Sequence, residues 1–173
     1  YTTFRCVLSF INTYFIKDYE AVVLYGHATL ERSKMPSLCY DYSQNLGSLN
    51  ITRQIFNLKF ESPITFAAFE SHLPSLEFWL KLGCGGGCIK TITLESRSGN
   101  PRPRLQQVKL NGQEHLINAL GLPGVGVHAL LQTLQTSALI NVSCPLGISI
   151  GGHSLEDYKQ TAEQVVPFLE NHL

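Results

Sequence analysis

Lys90 and Thr91 stand side by side in the run Gly87 to Thr93, whose apolar and β-branched residues read as a buried strand. An ammonium in such a place can hold an anion or stabilise charge that develops during a reaction, and the neighbouring hydroxyl can donate to a carbonyl. Asn118 offers both donor and acceptor, and it opens the stretch Ala119-Leu120-Gly121-Leu122-Pro123. There Gly121 would let backbone N–H groups come close to a ligand. The same residues also have plain structural roles: a Lys whose stem lies along apolar surface, an Asn in a turn, a Gly at the start of a helix.

Other chemistries are excluded by spacing. Cys84 and Cys88 have three residues between them, but no second Cys or His pair follows at ligand spacing, so no metal site is expected and they read as small buried thiols beside a strand. Five cysteines are an odd number in a chain too large to need disulfide staples, which points to a reducing compartment. The six histidines (His27, His72, His115, His128, His153, His172) include no i, i+4 pair. No phosphate-binding loop or nucleophile elbow occurs, and Gly85-Gly86-Gly87 precedes a strand, the wrong order for a dinucleotide site. Thirteen basic residues balance thirteen acidic ones, so no nucleic-acid partner is indicated. The sequons at Asn50 and Asn141 matter only in a secreted protein. With 44% hydrophobic and 15% charged residues, the chain has much apolar surface to bury.

The elements that must position these residues follow from periodicity and punctuation. Asp18 to Ser33 reads as a helix capped by Asp18, with Ala21, Leu24, Tyr25 and Ala28 at helical spacing. Leu49 to Phe60 alternates as a β-hairpin. From Ser62 the pattern becomes strand, helix, strand, helix, the sign of a parallel sheet covered by helices. Strands are expected at Ile64–Ala68, Gly87–Thr93 and Leu146–Ile150, and helices at Pro74–Leu82, Gly124–Gln135 and Ser154–Leu169, with Arg97–Arg104 a loop. Ser154 with Asp157 gives the last helix an acidic variant of the capping box.

The run Ile89-Lys90-Thr91-Ile92-Thr93-Leu94-Glu95 through Gly99-Asn100-Pro101-Arg102-Pro103-Arg104, followed by Ile117-Asn118-Ala119-Leu120-Gly121-Leu122-Pro123, resembles the dihydroorotate dehydrogenase family. The likeness extends from about Leu49 to Leu169. It implies an FMN-dependent (β/α)₈ barrel that oxidises dihydroorotate to orotate in pyrimidine synthesis. The chain would then be an α/β protein with part of such a barrel, about three β/α units, in residues 48–173, preceded by a helical extension in residues 1–47. In this resemblance Ala67, Ala68, Lys90 and Thr91 correspond to flavin-contacting positions. Asn118 to Leu122 correspond to the orotate-binding loop, with Asn118, Leu120, Gly121 and Leu122 as substrate contacts, and Lys90 serves both the substrate and the chemistry. The extension looks like that of the membrane-associated, quinone-reducing class, whereas Lys90 and the Asn118–Pro123 run look like the soluble class.

Departures from the pattern accompany the likeness. Phe69 follows Ala67-Ala68 where the family has a Gly that lets the backbone close over the flavin, and Glu70-Ser71-His72 replaces an Asp-Lys. Asn141-Val142-Ser143-Cys144-Pro145 looks like the family's base loop but precedes a strand instead of following one, so Cys144 is taken as a chance likeness. Three units cannot close a barrel, and an open sheet has an unpaired edge. A C-terminal half or a covering partner chain is therefore expected. Two functions stand open: an FMN oxidoreductase completed by that half, and a non-catalytic descendant serving as a subunit of a larger complex. The apolar stretch Phe4–Ile16 allows membrane association or burial against protein, and Tyr1 in place of Met is expected of an N-terminus that has been processed, trimmed or left out.

Overall fold

A computed structural model describes residues 18–32 and 51–172 of the chain. Helix α1 spans Tyr19–Arg32, and its first turn is closed by the Asp18 carboxylate, which accepts from the Glu20 N–H at 3.0 Å. A hairpin follows, β1 (Arg53–Ile55) against β2 (Leu58–Phe60), turning at Phe56 in the left-handed region with φ 53°. The rest alternates: α2 (Leu73–Lys81), β3 (Gly87–Ile92), the hairpin β4 (Leu105–Leu110) and β5 (Gln113–Asn118), α3 (Val127–Gln135), β6 (Leu146–Ile150) and α4 (Leu155–His172). The expected boundary near residue 47 and the apolar stretch Phe4–Ile16 lie outside the described residues.

β3 and β6 pair in parallel, a geometry that needs a long crossover, here supplied by the β4–β5 hairpin and α3. On the other side of β3 the expected strand Ile64–Ala68 is reduced to a single parallel bridge, Phe66 with Gly87. The reason is a detour in the backbone. Cys88 N–H donates to Phe66 O at 3.0 Å, but Lys90 N–H, two residues on, donates to Glu70 O at 2.9 Å, so four residues of one segment match two of the other. The slack forms a tight turn in which Phe69 N–H donates to Ala67 O at 2.8 Å.

Helices α2, α3 and α4 cover this sheet, each with one apolar stripe. Leu73, Leu76 and Leu80 of α2, Val127, Leu130 and Leu134 of α3, and Thr161, Val165 and Phe168 of α4 recur at helical spacing. They meet Phe66, Ile89, Ile92 and Leu139 in one core. Helix α3 starts at Val127 and not at Gly124, because Gly126 has φ 86° and Gly124 is paired with Arg97 as an antiparallel bridge. The capping box at α4 forms as expected: Asp157 N–H donates to Ser154 Oγ at 3.1 Å, and the Asp157 carboxylate accepts from Ser154 N–H at 3.3 Å.

Two further features depart from the sequence reading. The β4–β5 hairpin is an addition, turning on Asn111-Gly112 with both residues at positive φ and Leu110 in register with Gln113. In α1 the apolar stripe is only partly docked: Ala21 and Ala28 are half-buried, whereas Leu24 and Tyr25 are 51% and 62% exposed. Glu20 and His27 reach the rest of the protein through their side chains. Polar contacts, together with the half-buried Ala21, Val22, Ala28 and Leu30, seat this helix.

Leu76 is fully buried between α2 and the sheet, so Leu76→Ala is expected to cost about 2–5 kcal/mol in urea denaturation. Leu155→Ala, at a side chain 87% exposed, should change stability by less than ~0.5 kcal/mol. Equal effects from the two would contradict this assignment of the core.

Candidate functional site

The pairing of β3 with β6 contains one extra residue. Ile89 faces Ile148 and Ile92 faces Ile150, so three steps along β3 match two along β6. A strand without this bulge would point Ile89 and Ile92 to opposite faces, whereas here both are buried. Lys90 and Thr91 are the residues inside the irregularity, and both are half-buried. Such bulges re-aim side chains. Thr91 Oγ1 lies 2.8 Å from Ser149 Oγ, and a Cβ on Gly151 would come within 2.7 Å of Thr91 Cγ2, so a glycine is needed there for Thr91 to stand against β6.

Leu122 joins this group, since the same imagined Cβ on Gly151 would lie 3.6 Å from its Cδ1. Leu122 has φ 52°, and the loop before it is tied down by Asn100. Asn100 N–H donates to Leu120 O at 2.9 Å and its side-chain amide donates to Ala119 O at 2.7 Å. Gly121, at φ 74°, passes so close that a Cβ would sit 2.8 Å from the Asn100 backbone nitrogen. The glycine therefore serves this close approach of two backbone segments. Asn118 is the exposed last residue of β5, in register with Leu105. Thr91 and Leu122 are thus brought together at the C-terminal ends of β3 and β6, Lys90 beside them in the strand, and Asn118 at the foot of the adjoining loop. Ala67 is exposed and Ala68 half-buried in the detour before Glu70, and the Phe69 ring lies edge-on to Trp79 of α2, centroids 6.5 Å apart.

Sequence reasoning missed the polar frame around these residues. Arg104, its side chain only 9% exposed, donates through Nε and Nη2 to both carboxylate oxygens of Glu20 at 2.7 Å each, and through Nη1 to Ser98 O at 2.5 Å and Asn100 O at 3.0 Å. Arg102 pairs with Asp18 at 2.6 Å, and Tyr19 donates to the Gln107 side chain at 2.5 Å. The hydrogen bond from Arg104 holds the Glu20 carboxyl below its ordinary range against the opposing effect of burial, and the charges of Arg104, Arg102 and Lys90 add to it. Glu20 of α1 is therefore within electrostatic reach of Lys90. The signal available in the sequence was a pair of arginines flanking a proline, which seek carboxylates wherever they are buried.

Cys144 is placed at the opposite end of β6. Pro145 O accepts from Gly87 N–H at 3.0 Å, at the start of β3, whereas Thr91 meets Ser149 near the strands' other end. Burial pushes the Cys144 thiol up, away from the thiolate that a base or nucleophile would need. It lines a cavity of about 470 Å³ with Cys88, Phe60, Phe66 and Leu169. A second cavity, about 310 Å³, lies between Thr93, Arg97, His153 and Asp157, where Arg97 hydrogen-bonds His153. Neither is lined by Lys90, Thr91 or the 118–122 loop. Among the described residues no group of three or more His, Cys, Asp or Glu side chains converges as a metal site, and no helix is long and apolar enough to cross a membrane.

The pH response of the α1 clamp follows from Glu20. A carboxyl held below its unfolded value contributes stability that is present above that value, about 4.3, and is lost as pH falls through the lower folded value. Between pH 6 and about pH 3.5 the melting temperature should therefore fall further for the wild type than for Glu20→Gln. Parallel curves would show that the clamp carries no pH-dependent stability.

The family profile for dihydroorotate dehydrogenase matches residues 50–171. A dihydroorotate dehydrogenase (quinone) of Chloroflexus aurantiacus is 28% identical over 149 residues, covering 82% of this chain and 40% of that protein. One from Glaesserella parasuis is 31% identical over 122 residues, covering 66% of this chain and 35% of its own. Two crystal structures of the Eimeria tenella enzyme, one ligand-free and one with ferulenol, superpose with TM-scores of 0.57 and 0.58 at 21% and 20% identity, covering 43% and 41% of those chains. This structural likeness identifies a fold related to the (β/α)₈ barrel. The chain spans about 40% of the length of these relatives.

Proposed function

The chain belongs to the dihydroorotate dehydrogenase family, and on that premise we propose that it forms one wall of an FMN site for the oxidation of dihydroorotate, within a barrel completed by a C-terminal half or a partner chain. The three parallel segments at Phe66, β3 and β6, each followed by a helix, are read as the first three β/α units of that barrel. The observation that carries the proposal is the bulge in β3, which sets Lys90 and Thr91 at the C-terminal ends of parallel strands, where barrels bind their ligands.

The residues fit a flavin on this wall. Lys90 supplies a cation, the Thr91–Ser149 hydroxyl pair supplies a donor whose orientation is fixed by its own hydrogen bond, and the Phe69 ring is turned onto Trp79. FMN held here would supply the hydride acceptor for dihydroorotate. The Lys90 ammonium would stabilise negative charge on the reduced ring or hold the substrate carboxylate. Asn118, Leu120, Gly121 and Leu122 would form the substrate side, held by Asn100 and Arg104. Cys144 stands at the wrong end of β6 to serve as the proton acceptor, and that role is assigned to the completing polypeptide.

One observation supports the other reading, a non-catalytic subunit. Helix α1 turns Val23, Leu24 and Tyr25 outward as an apolar surface for a partner or a membrane.

Lys90→Ala separates the two. In the flavoenzyme reading it slows flavin reduction by dihydroorotate by about a hundredfold to a thousandfold, roughly 2.7–4 kcal/mol, with a much smaller effect on FMN affinity. In the subunit reading no flavin copurifies with the wild type.

A further inference from the structure

Glu70 is a heavily engaged carboxylate at the frame of the candidate site. Its Oε1 accepts from Ser71 N–H at 2.7 Å and from His72 N–H at 2.8 Å, and its Oε2 lies 2.8 Å from His27 Nε2 on α1. Its backbone carbonyl is the point at which the detour after Phe66 rejoins β3, accepting the Lys90 N–H. The same residue thus ends the 67–70 turn, holds the bulge at Lys90 and receives α1.

The contact from α1 is built in two layers. The His27 and His72 rings stack with centroids 4.2 Å apart and planes within 4°, and His72 Nε2 in turn lies 2.8 Å from Glu31 on α1, one helical turn beyond His27. His72 Nδ1 is 2.8 Å from Ser75 Oγ in the first turn of α2. Each ring is therefore fixed by a carboxylate and by its neighbour, and the pair joins α1 to the segment that precedes α2. At the other end of α1, Glu20 grips Arg104, which also binds the carbonyls of Ser98, Asn100 and Leu120.

We propose that Glu70 is a positioning residue and that the stacked His27–His72 pair is the latch through which the seating of α1 is transmitted to the backbone of Lys90. With α1 seated, four contacts fix the Glu70 carboxylate and carbonyl, and the bulge is held from the side opposite β6. With α1 lifted, Glu70 keeps only its local bonds to Ser71 and His72, and the attachment of the 67–70 detour to Lys90 loosens. Among the described residues no side chain of α1 is fully buried, so the seated state depends largely on these polar contacts. The inference rests on the flavin reading only for what the Lys90 bulge serves; the contacts themselves do not need it.

Residue-resolved amide hydrogen exchange on the protein at its native length, with any chain that completes it, tests this. His27→Ala should speed exchange at the Lys90 amide roughly tenfold or more while leaving the Cys88 amide, held by Phe66, unchanged. His27→Gln, whose side-chain amide can still donate to Glu70, should restore protection, and Tyr25→Ala, at an exposed side chain, should do nothing. Unchanged Lys90 protection in His27→Ala would overturn the proposal. So would equal loss at Cys88, which would mean general destabilisation, or failure of His27→Gln to rescue. A Lys90 amide that responds in a protein binding no FMN would leave the latch standing and remove the flavin reading.

Discussion

The extra residue in β3 is the constraint on which the candidate site depends. Parallel strands in strict register would alternate Ile89 and Thr91 on one face with Lys90 and Ile92 on the other, and one of the two isoleucines would leave the core. The observed pairing keeps both isoleucines inside, which confines the irregularity to Lys90 and Thr91. Energetically the apolar residues decide: burying an Ile side chain is worth about 1.5–3 kcal/mol, more than the ladder geometry lost across two residues that find other partners. Those partners are Ser149 for the Thr91 hydroxyl and Glu70 for the Lys90 N–H. Core packing and site geometry are thus the same event.

A second constraint ties the loops to each other. Arg104 is nearly buried and satisfies itself on Glu20 and on three backbone carbonyls of the 98–100 and 120 segments. Removing either member of this part-buried charge pair leaves the other poorly compensated, so the pair fixes where the loops and α1 stand even if its net contribution to stability is small. Glu70 does the same for the loop after Phe66. These clamps hold a frame in which Asn118–Leu122 and Lys90–Thr91 keep a defined relation without a continuous sheet linking them.

Much of this frame was legible in the sequence, and what was not has particular causes. The helices covering the sheet and the parallel strands Gly87–Thr93 and Leu146–Ile150 follow from apolar periodicity and from Gly and Pro at their ends. The capping box at Ser154 and the cap at Asp18 were readable because they are local in sequence. The hairpin at Asn111-Gly112 carried a strong turn signal that the flanking polar residues obscured. The collapse of Ile64–Ala68 to one bridge, and the bulge, depend on register between distant segments, which no window along the chain contains. The docking of α1 left Leu24 and Tyr25 of its apolar stripe exposed, because Glu20, His27 and Glu31 find Arg104, Glu70 and His72 some 40 to 84 residues away. The candidate site residues were taken from the family pattern, which carries no information on their supports.

The central claim is that Lys90, Thr91 and the Asn118–Leu122 loop form part of a flavin site completed by further polypeptide. Intact mass of the natively purified protein, taken together with its visible absorption spectrum, tests it most directly. The account predicts a flavin spectrum and either a chain longer than these 173 residues or a stoichiometric partner. A colourless, monodisperse, stably folded monomer of 173 residues would contradict it.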